Sequence, residues 1–156
     1  GFRPVSVLRS GVLGTTGVES AEAVRGLASE VKPACVIAVD ALASRSLERL
    51  CRTVQISDTG IVPGSGVGNH RFALDEKTLG VPVLAVGVPT VVYGATLAAD
   101  LLGRDDLPPL GRGGELLVTP KDIDSQVGDL SKVIAYGINL ALQPGLGVED
   151  LDLLLS

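Results

Sequence analysis

The chain has 156 residues, enough for one domain with its own core, and its 46% hydrophobic and 20% charged residues exclude an intrinsically disordered protein. Only four residues are aromatic, which argues against a surface that binds single-stranded nucleic acid by base stacking. The formal net charge is −5, and no dense Lys/Arg cluster suggests a phosphate-binding face. We therefore expect no direct contact with nucleic acid.

The first predicted elements are a helix and a strand. Residues 19–31 carry apolar side chains at helical spacing, and the pair Lys32-Pro33 ends that pattern. The apolar run from Cys35 to Val39 predicts a strand that is buried on both faces. Asp40 follows it directly. In open parallel sheets, ligands bind outside the carboxyl ends of the strands, so Asp40 is either a catalytic acid or base, or a carboxylate bonded to the next backbone amides.

Further elements follow in chain order. The pattern predicts a short helix from Ser44 to Cys51, a small strand over 53–57, a second buried strand from Val81 to Val88 and a helix from Thr90 to Leu102. The stretch 103–114 is rich in Gly, Pro, Arg and Asp and predicts a connection. A final helix runs to Leu142, with Thr119 as N-cap and Pro120 at its first position.

This order predicts right-handed parallel crossovers within a single α/β domain over residues 1–156, whose mostly parallel or mixed sheet is flanked by helices. Two confident strands and one or two weak ones are few for a self-sufficient sheet. A missing N-terminal portion with further strands would resolve this shortage.

A glycine-rich loop covers residues 58–70. Its Asp58-Thr59-Gly60 resembles the tripeptide of aspartic proteases, but those need an all-β fold, so Asp58 is expected to be a turn residue. The run Gly64-Ser65-Gly66 lacks the Gly-Lys-Ser/Thr ending of a phosphate loop. The loop is therefore interpreted as backbone shaped to approach a substrate or a subunit.

The remaining reactive residue types predict little chemistry. Cys35 and Cys51 are expected to be buried, and His70 to lie on the surface, so we expect no metal site and no cofactor. Arg45 is a surface residue, a partner for an acid near Asp40, or a residue that orients the substrate. No apolar run approaches the roughly 20 residues of a membrane span, and no secretory signal is present, so a cytosolic setting is expected.

Seven segments in one order resemble the germination protease family of endospore-forming bacteria. They are 1–6 (GFRPVS), 11–17 (GVLGTTG), 39–45 (VDALASR), 55–61 (QISDTGI), 63–69 (PGSGVGN), 87–92 (GVPTVV) and 118–121 (VTPK). The resemblance implies an endopeptidase that degrades small acid-soluble spore proteins during germination, in the spore core. It also implies a zymogen, a tetramer, and an α/β fold like that of hydrogenase maturation proteases. One of the family's two proposed catalytic aspartates corresponds to Asp40.

The sequence departs from the family pattern in three places. The other proposed catalytic aspartate lies upstream of the Gly-Phe-Arg-Pro motif, Tyr93 replaces an acidic residue, and the stretch 103–114 is shorter than the family's insertion.

The leading hypothesis is hydrolysis of a peptide bond by a water held between Asp40 and the upstream acid. The cleft is expected to be lined by Asp58, Thr59, Gly60, Gly64, Ser65 and Gly66, with Arg45 and Thr90 in support. The alternative is a non-catalytic fragment or paralogue that acts as an assembly or binding module. A metal-dependent peptidase is a third interpretation, and the scarcity of His speaks against it.

Overall fold

A computed structural model describes residues 1–11, 13–63 and 72–155, and these form two compact units. The sheet unit comprises residues 8–120, and the helical unit comprises residues 1–7 together with the chain from 121 onward. The prediction of a single domain stays a prediction.

The sheet unit contains four strands and four α-helices among its described residues. The strands are β1 (Val36–Ser44), β2 (Gln55–Ser57), β3 (Val83–Tyr93) and β4 (Leu117–Val118). The helices are α1 (Leu13–Thr16), α2 (Ser20–Val31), α3 (Glu76–Leu79) and α4 (Gly94–Leu102), and short 3-10 turns cover Leu47–Arg49 and Gly111–Gly113.

Strand β3 is the common partner of the other strands. It pairs in parallel with β1, and antiparallel with β2 and with β4. The strand order is β1-β3-β2, with β4 attached to the far end of β3. The fold is therefore α/β with a mixed sheet, as the sequence predicts at that level.

The core lies where α2 and the segment before α3 cover the amino ends of β1 and β3. Ala21, Ala38, Leu74 and Val83 are buried together there, and Val24, Val36, Ile61 and Leu79 pack around them. The helical spacing in α2 supplies the first of these side chains, and alternation along the strands supplies the others.

Both long strands extend further than predicted. β1 continues through Ala41 to Ser44, so the prediction that Asp40 ends the strand is wrong, and the predicted helix 44–51 is reduced to the 3-10 turn. β3 continues to Tyr93, so Thr90 lies in a strand and α4 begins only at Gly94. In β1, pairing with β3 outweighs the helix propensity of the Ala- and Leu-containing end, whereas the end of β3 is rich in residues that favour strands.

Of the predictions that β1 is buried on both faces and that Cys35 and Cys51 are buried, only the one for Cys51 is confirmed. β1 is not buried on both faces, because 53% of Val39 is exposed. Cys35 is exposed, and it lies just before β1. Cys51 is buried as predicted, but it follows the 3-10 turn and has a positive φ of 54°.

The helical unit is built on α5 (Ile123–Leu142) and α6 (Val148–Leu155). The Tyr136 hydroxyl on α5 donates a short hydrogen bond to Asp152 on α6, and this bond raises the pKa of Tyr136. The side-chain amide of Gln143 binds both backbone groups of Arg3: it accepts from the N–H at 2.7 Å and donates to the carbonyl at 2.9 Å.

The start of α5 differs from the prediction. The helix begins at Ile123 with Asp122 as its N-cap residue, so Thr119 and Pro120 precede it. The Thr119 hydroxyl has another partner, described below. Among the described residues, no helix combines the length and apolarity needed to cross a membrane.

Candidate active site

Asp40 is in the middle of β1, on the same face of the strand as Ala38 and Leu42. Its side chain is partly buried. The carboxylate oxygen Oδ1 accepts a hydrogen bond of 2.9 Å from the backbone N–H of Ala41. The backbone-bonded arrangement considered for this residue is thus present, although the strand continues beyond it.

The hydrogen-bonding pattern of β1 shows which edge this carboxylate occupies. The N–H of Val36 donates to Pro82, the residue before β3, at 2.9 Å. Alternate residues of a strand direct their backbone groups to opposite edges, so the groups of Ile37, Val39 and Ala41 point away from β3. Asp40 therefore binds an N–H on the outer edge of β1, where the described residues provide no further strand.

Gly87 is the partner of Asp40 on β3, and its missing side chain leaves a notch. A Cβ atom built on Gly87 would lie 2.3 Å from Cδ1 of Leu42. The Leu42 side chain thus fills the space over Gly87, on the same face as Asp40. Leu42 follows Asp40 by two positions and is therefore the next side chain on that face of β1.

Just beyond Leu42 the register of the two strands changes. Leu42 pairs with Pro89 but Ala43 pairs with Val91, so Thr90 is a bulged residue without a partner on β1. The Thr90 carbonyl accepts a hydrogen bond of 2.9 Å from Oγ1 of Thr119. Bulges of this kind bend a strand and re-aim nearby side chains. Sequence reasoning named Thr90 as a supporting residue and missed the role of Thr119.

Arg45 lies immediately after β1 and is exposed. Asp40 is five positions earlier, inside the strand. The predicted interaction of Arg45 with an acid near Asp40 stays a prediction.

The described beginning of the glycine loop lies across β3 from Asp40. β2 and β1 flank opposite edges of β3, and β2 ends at Ser57 beside Ala85, so Asp58 follows toward the amino end of β3. Ser57 holds this turn, since its hydroxyl accepts from the Thr59 N–H at 3.1 Å and bonds to the Thr59 hydroxyl at 2.7 Å.

Gly60 continues this turn with a φ of +81°, a conformation that favours glycine. A Cβ atom on Gly60 would lie 2.3 Å from the carbonyl oxygen of Leu74. Next to it, Ile61 and Leu74 form an antiparallel bridge with N–O distances of 3.0 and 2.7 Å. Gly64, Ser65, Gly66 and His70 lie outside the described residues, and their predicted positions stay predictions.

Asp75 begins α3 with a reciprocal capping arrangement. Its Oδ1 accepts from the Thr78 N–H at 2.9 Å, and the Thr78 hydroxyl accepts from the Asp75 N–H at 3.1 Å. The bond from the Thr78 backbone lowers the pKa of Asp75, with smaller contributions from the Thr78 hydroxyl and Lys77.

A shallow pocket of about 80 Å³ opens where α2 meets the segment before α3. Its lining residues are Ala21, Glu22, Arg25, Phe72, Ala73, Leu74, Thr78 and Leu79. Asp40 is not among them. Within the described residues, the site around Asp40 therefore consists of the outer edge of β1 and the bulge at Thr90, and it lies outside this pocket.

The sequence profile described as germination protease matches residues 1–104, two thirds of the chain and all of β1, β2 and β3. The chain belongs to the germination protease family.

Several curated germination proteases resemble this chain over nearly its whole length. The germination protease of Clostridium tetani is 46% identical over an alignment covering 97% of this chain and 56% of the relative. That of Clostridium perfringens is 44% identical, covering 99% of this chain and 57% of the relative. That of Bacillus subtilis is 38% identical, covering 96% and 57%.

The lengths of these alignments carry two further facts. The chain spans about half the length of the curated relatives it matches. In addition, the alignments extend over 182 and 212 positions and so exceed the 156 residues of this chain. The relatives therefore contain residues, within the aligned region, that have no counterpart here.

Proposed function

We propose that the protein containing this chain is an endopeptidase that degrades small acid-soluble spore proteins during germination. Family membership over residues 1–104 supports this proposal. The observation that carries it is Asp40, a partly buried carboxylate inside a sheet and inside a matched motif. The germinating spore core is the setting that follows from it.

The proposed chemistry is attack on a peptide bond by a water held between two carboxylates. One carboxylate must be protonated and the other ionised, because like charges about 3 Å apart cannot both ionise. Asp40 is the first. The second carboxylate is proposed to lie in a segment that corresponds to the part of the relatives not covered by this chain.

The outer edge of β1 supports this division of the site. Ile37, Val39 and Ala41 direct backbone groups to that edge, and the Asp40 carboxylate binds there. An added strand would place its own side chains next to Asp40 at the usual strand spacing of about 5 Å. A sheet completed in this way would match the α/β fold of hydrogenase maturation proteases that the family resemblance implies, and the tetramer is proposed on the same resemblance.

The role of the glycine loop is proposed from its anchored ends. The bridge between Ile61 and Leu74 holds the two flanks of the loop together. Such a loop presents backbone amides to an extended substrate. Asp58, Thr59, Gly60, Gly64, Ser65 and Gly66 are the residues proposed to line the substrate cleft.

The decisive experiment is Asp40→Asn in the complete gene product, assayed with a purified acid-soluble spore protein. The amide oxygen of Asn can still accept the Ala41 bond, so the thermal unfolding curve should be unchanged. Activity should fall by about 10²- to 10⁴-fold. Asp105→Asn, an exposed carboxylate in the 103–114 connection, is the matched control. Full activity of Asp40→Asn would remove Asp40 from the mechanism.

A non-catalytic assembly or binding module is the second candidate. It is favoured by Tyr93, which ends β3 where the family pattern has an acid. The sequence of the gene upstream of the Gly1 codon, together with an intact mass, separates the candidates. A second acidic motif in the same polypeptide favours the protease.

A further inference from the structure

The Thr90 bulge has a specific chemical consequence for β3. Because Thr90 has no Cα partner on β1, its carbonyl is not part of the regular ladder between the two strands. A backbone carbonyl that lies outside the ladder takes a hydrogen bond from water or from a side chain instead. Thr119 satisfies this carbonyl through its hydroxyl at 2.9 Å.

Thr119 is placed for this contact by β4. Val92 pairs with Ser44 of β1 and with Val118 of β4, so β1 and β4 flank opposite edges of β3 at this point. Val92 is fully buried, and Ser44 is also buried. Thr119 follows Val118 directly and so approaches the bulge from the edge opposite β1.

The bulge decides how β1 and β3 are aligned on either side of it. Before the bulge Asp40 pairs with Gly87 and Leu42 with Pro89; after it Ala43 pairs with Val91. The bulge lets Ser44 remain in the buried pair with Val92 while Leu42 stays in the Gly87 notch beside Asp40. A change of register by one residue would move every side chain to the opposite face.

We infer that Thr119 is a positioning residue for Asp40, acting through the bulged Thr90. This inference rests on the proposed function, in which Asp40 is a catalytic carboxylate. The Thr119 hydroxyl holds the Thr90 carbonyl, the bulge fixes the alignment of β1 with β3, and that alignment sets where the Asp40 carboxylate stands.

The test compares Thr119→Val, which removes the hydroxyl at constant shape, with Thr119→Ser, which keeps it. In the complete gene product, Thr119→Val should lower kcat by about tenfold and leave KM within about twofold, because a displaced catalytic group slows the chemical step more than it weakens binding. Thr119→Ser should retain kcat within about threefold. Ser131→Ala is the control, since the Ser131 hydroxyl also donates to a backbone carbonyl, that of Val127, but within α5.

Amide hydrogen exchange provides a second measurement that does not depend on activity. In Thr119→Val the amides of Ser44 and Val91 should exchange about fivefold faster, as expected for the loss of one hydrogen bond, while those of Ala38 and Ala85 should keep their rates. Thr119→Ala, with a larger loss of side chain, should reproduce the effect if Thr119→Val folds poorly.

Two outcomes would overturn the inference: unchanged kcat and exchange in Thr119→Val, or an equal loss in Thr119→Ser. The proposed function fails separately. If Asp40→Asn remains active, Asp40 is not catalytic and Thr119 cannot position a catalytic group, whereas the exchange rates still show whether Thr119 holds the bulge.

Discussion

Gly60 and Gly87 of the sheet unit both leave no room for a side chain, but they face different kinds of atoms. At Gly87, beside Asp40, a Cβ atom would meet the end of the Leu42 side chain. At Gly60, at the start of the glycine loop, it would meet the carbonyl oxygen of Leu74 and the Cα atom of Asp75. A side chain can change its rotamer, whereas a bridged backbone cannot move without breaking its hydrogen bonds.

The contact of Gly87 with Leu42 is thus adjustable, whereas the contact of Gly60 with Leu74 is fixed. The region around Asp40 has a notch whose shape depends on one Leu side chain. The junction of Gly60 with Leu74 is fixed by the backbone bridge at Ile61 and by a positive φ. We therefore expect substitutions at the junction to affect stability, and substitutions in the notch to be partly compensated.

The largest effect on stability is expected for Gly60→Ala. The added methyl group combines a backbone clash with an unfavourable φ of +81°, so the free energy of unfolding should fall by about 3 kcal/mol or more. Urea denaturation measures this. Gly80→Ala is the control, because Gly80 has a φ of +72° but open space around it, and should cost only about 1 kcal/mol. Equal costs at the two positions would show that the clash is absent.

A smaller effect is expected for Gly87→Ala, with a loss of about 1–3 kcal/mol from overpacking against Leu42. The double variant Gly87→Ala with Leu42→Ala should lose less than the sum of the two single variants, because the removed isobutyl group makes room for the new methyl. Denaturation of all four proteins forms the cycle. Strict additivity would contradict the described notch.

Gly26→Ala provides a third point of comparison, with the opposite sign. Gly26 lies inside α2 and has no atom within 4 Å of a built Cβ. Alanine should therefore raise the free energy of unfolding by about 0.5–1 kcal/mol, because glycine loses more conformational freedom in a helix. A loss of stability here would mean that α2 packs more tightly than described.

The smallest effect concerns Asp75, whose Cα and Cβ atoms face Gly60. Because the Thr78 N–H lowers the pKa of Asp75 below its ordinary value of 3.8, the carboxylate contributes stability above about pH 4. That contribution is lost as the pH falls through the folded pKa. Asp75→Asn keeps an equally good helix cap but cannot ionise. The difference in Tm between the two proteins should therefore shrink between pH 5 and pH 2, and a constant difference would contradict the prediction.

The sequence predicts the elements of this unit better than their ends. Apolar periodicity locates α2, the amino half of β1 and the buried part of β3. It fails at Ala41 to Ser44, where local residues are compatible with a helix and pairing with a strand that begins at Val83 decides the outcome. Val91, Val92 and Tyr93 favour strands, so their residue types are consistent with the extension of β3 past Pro89.

The candidate site was predicted only in part for a similar reason. Asp40 is prominent because it interrupts an apolar run. The notch at Gly87 and the contact from Thr119 depend on pairings between residues that are far apart in the chain. Its neighbour Pro120 makes Thr119 a typical helix cap in the sequence. Only the pairing of β3 with β4 shows that the Thr119 hydroxyl binds the Thr90 carbonyl instead.

The central place of β3 also constrains how the polypeptide folds during its synthesis. β1 and β2 leave the ribosome before β3, yet each pairs with it, and β1 cannot complete its ladder with β3 until Val92 has been translated. At a translation rate of about 5–20 residues per second, the apolar segment around Val39 is not paired with β3 for several seconds. Nascent chains at this stage are where chaperone binding and misassembly are most expected.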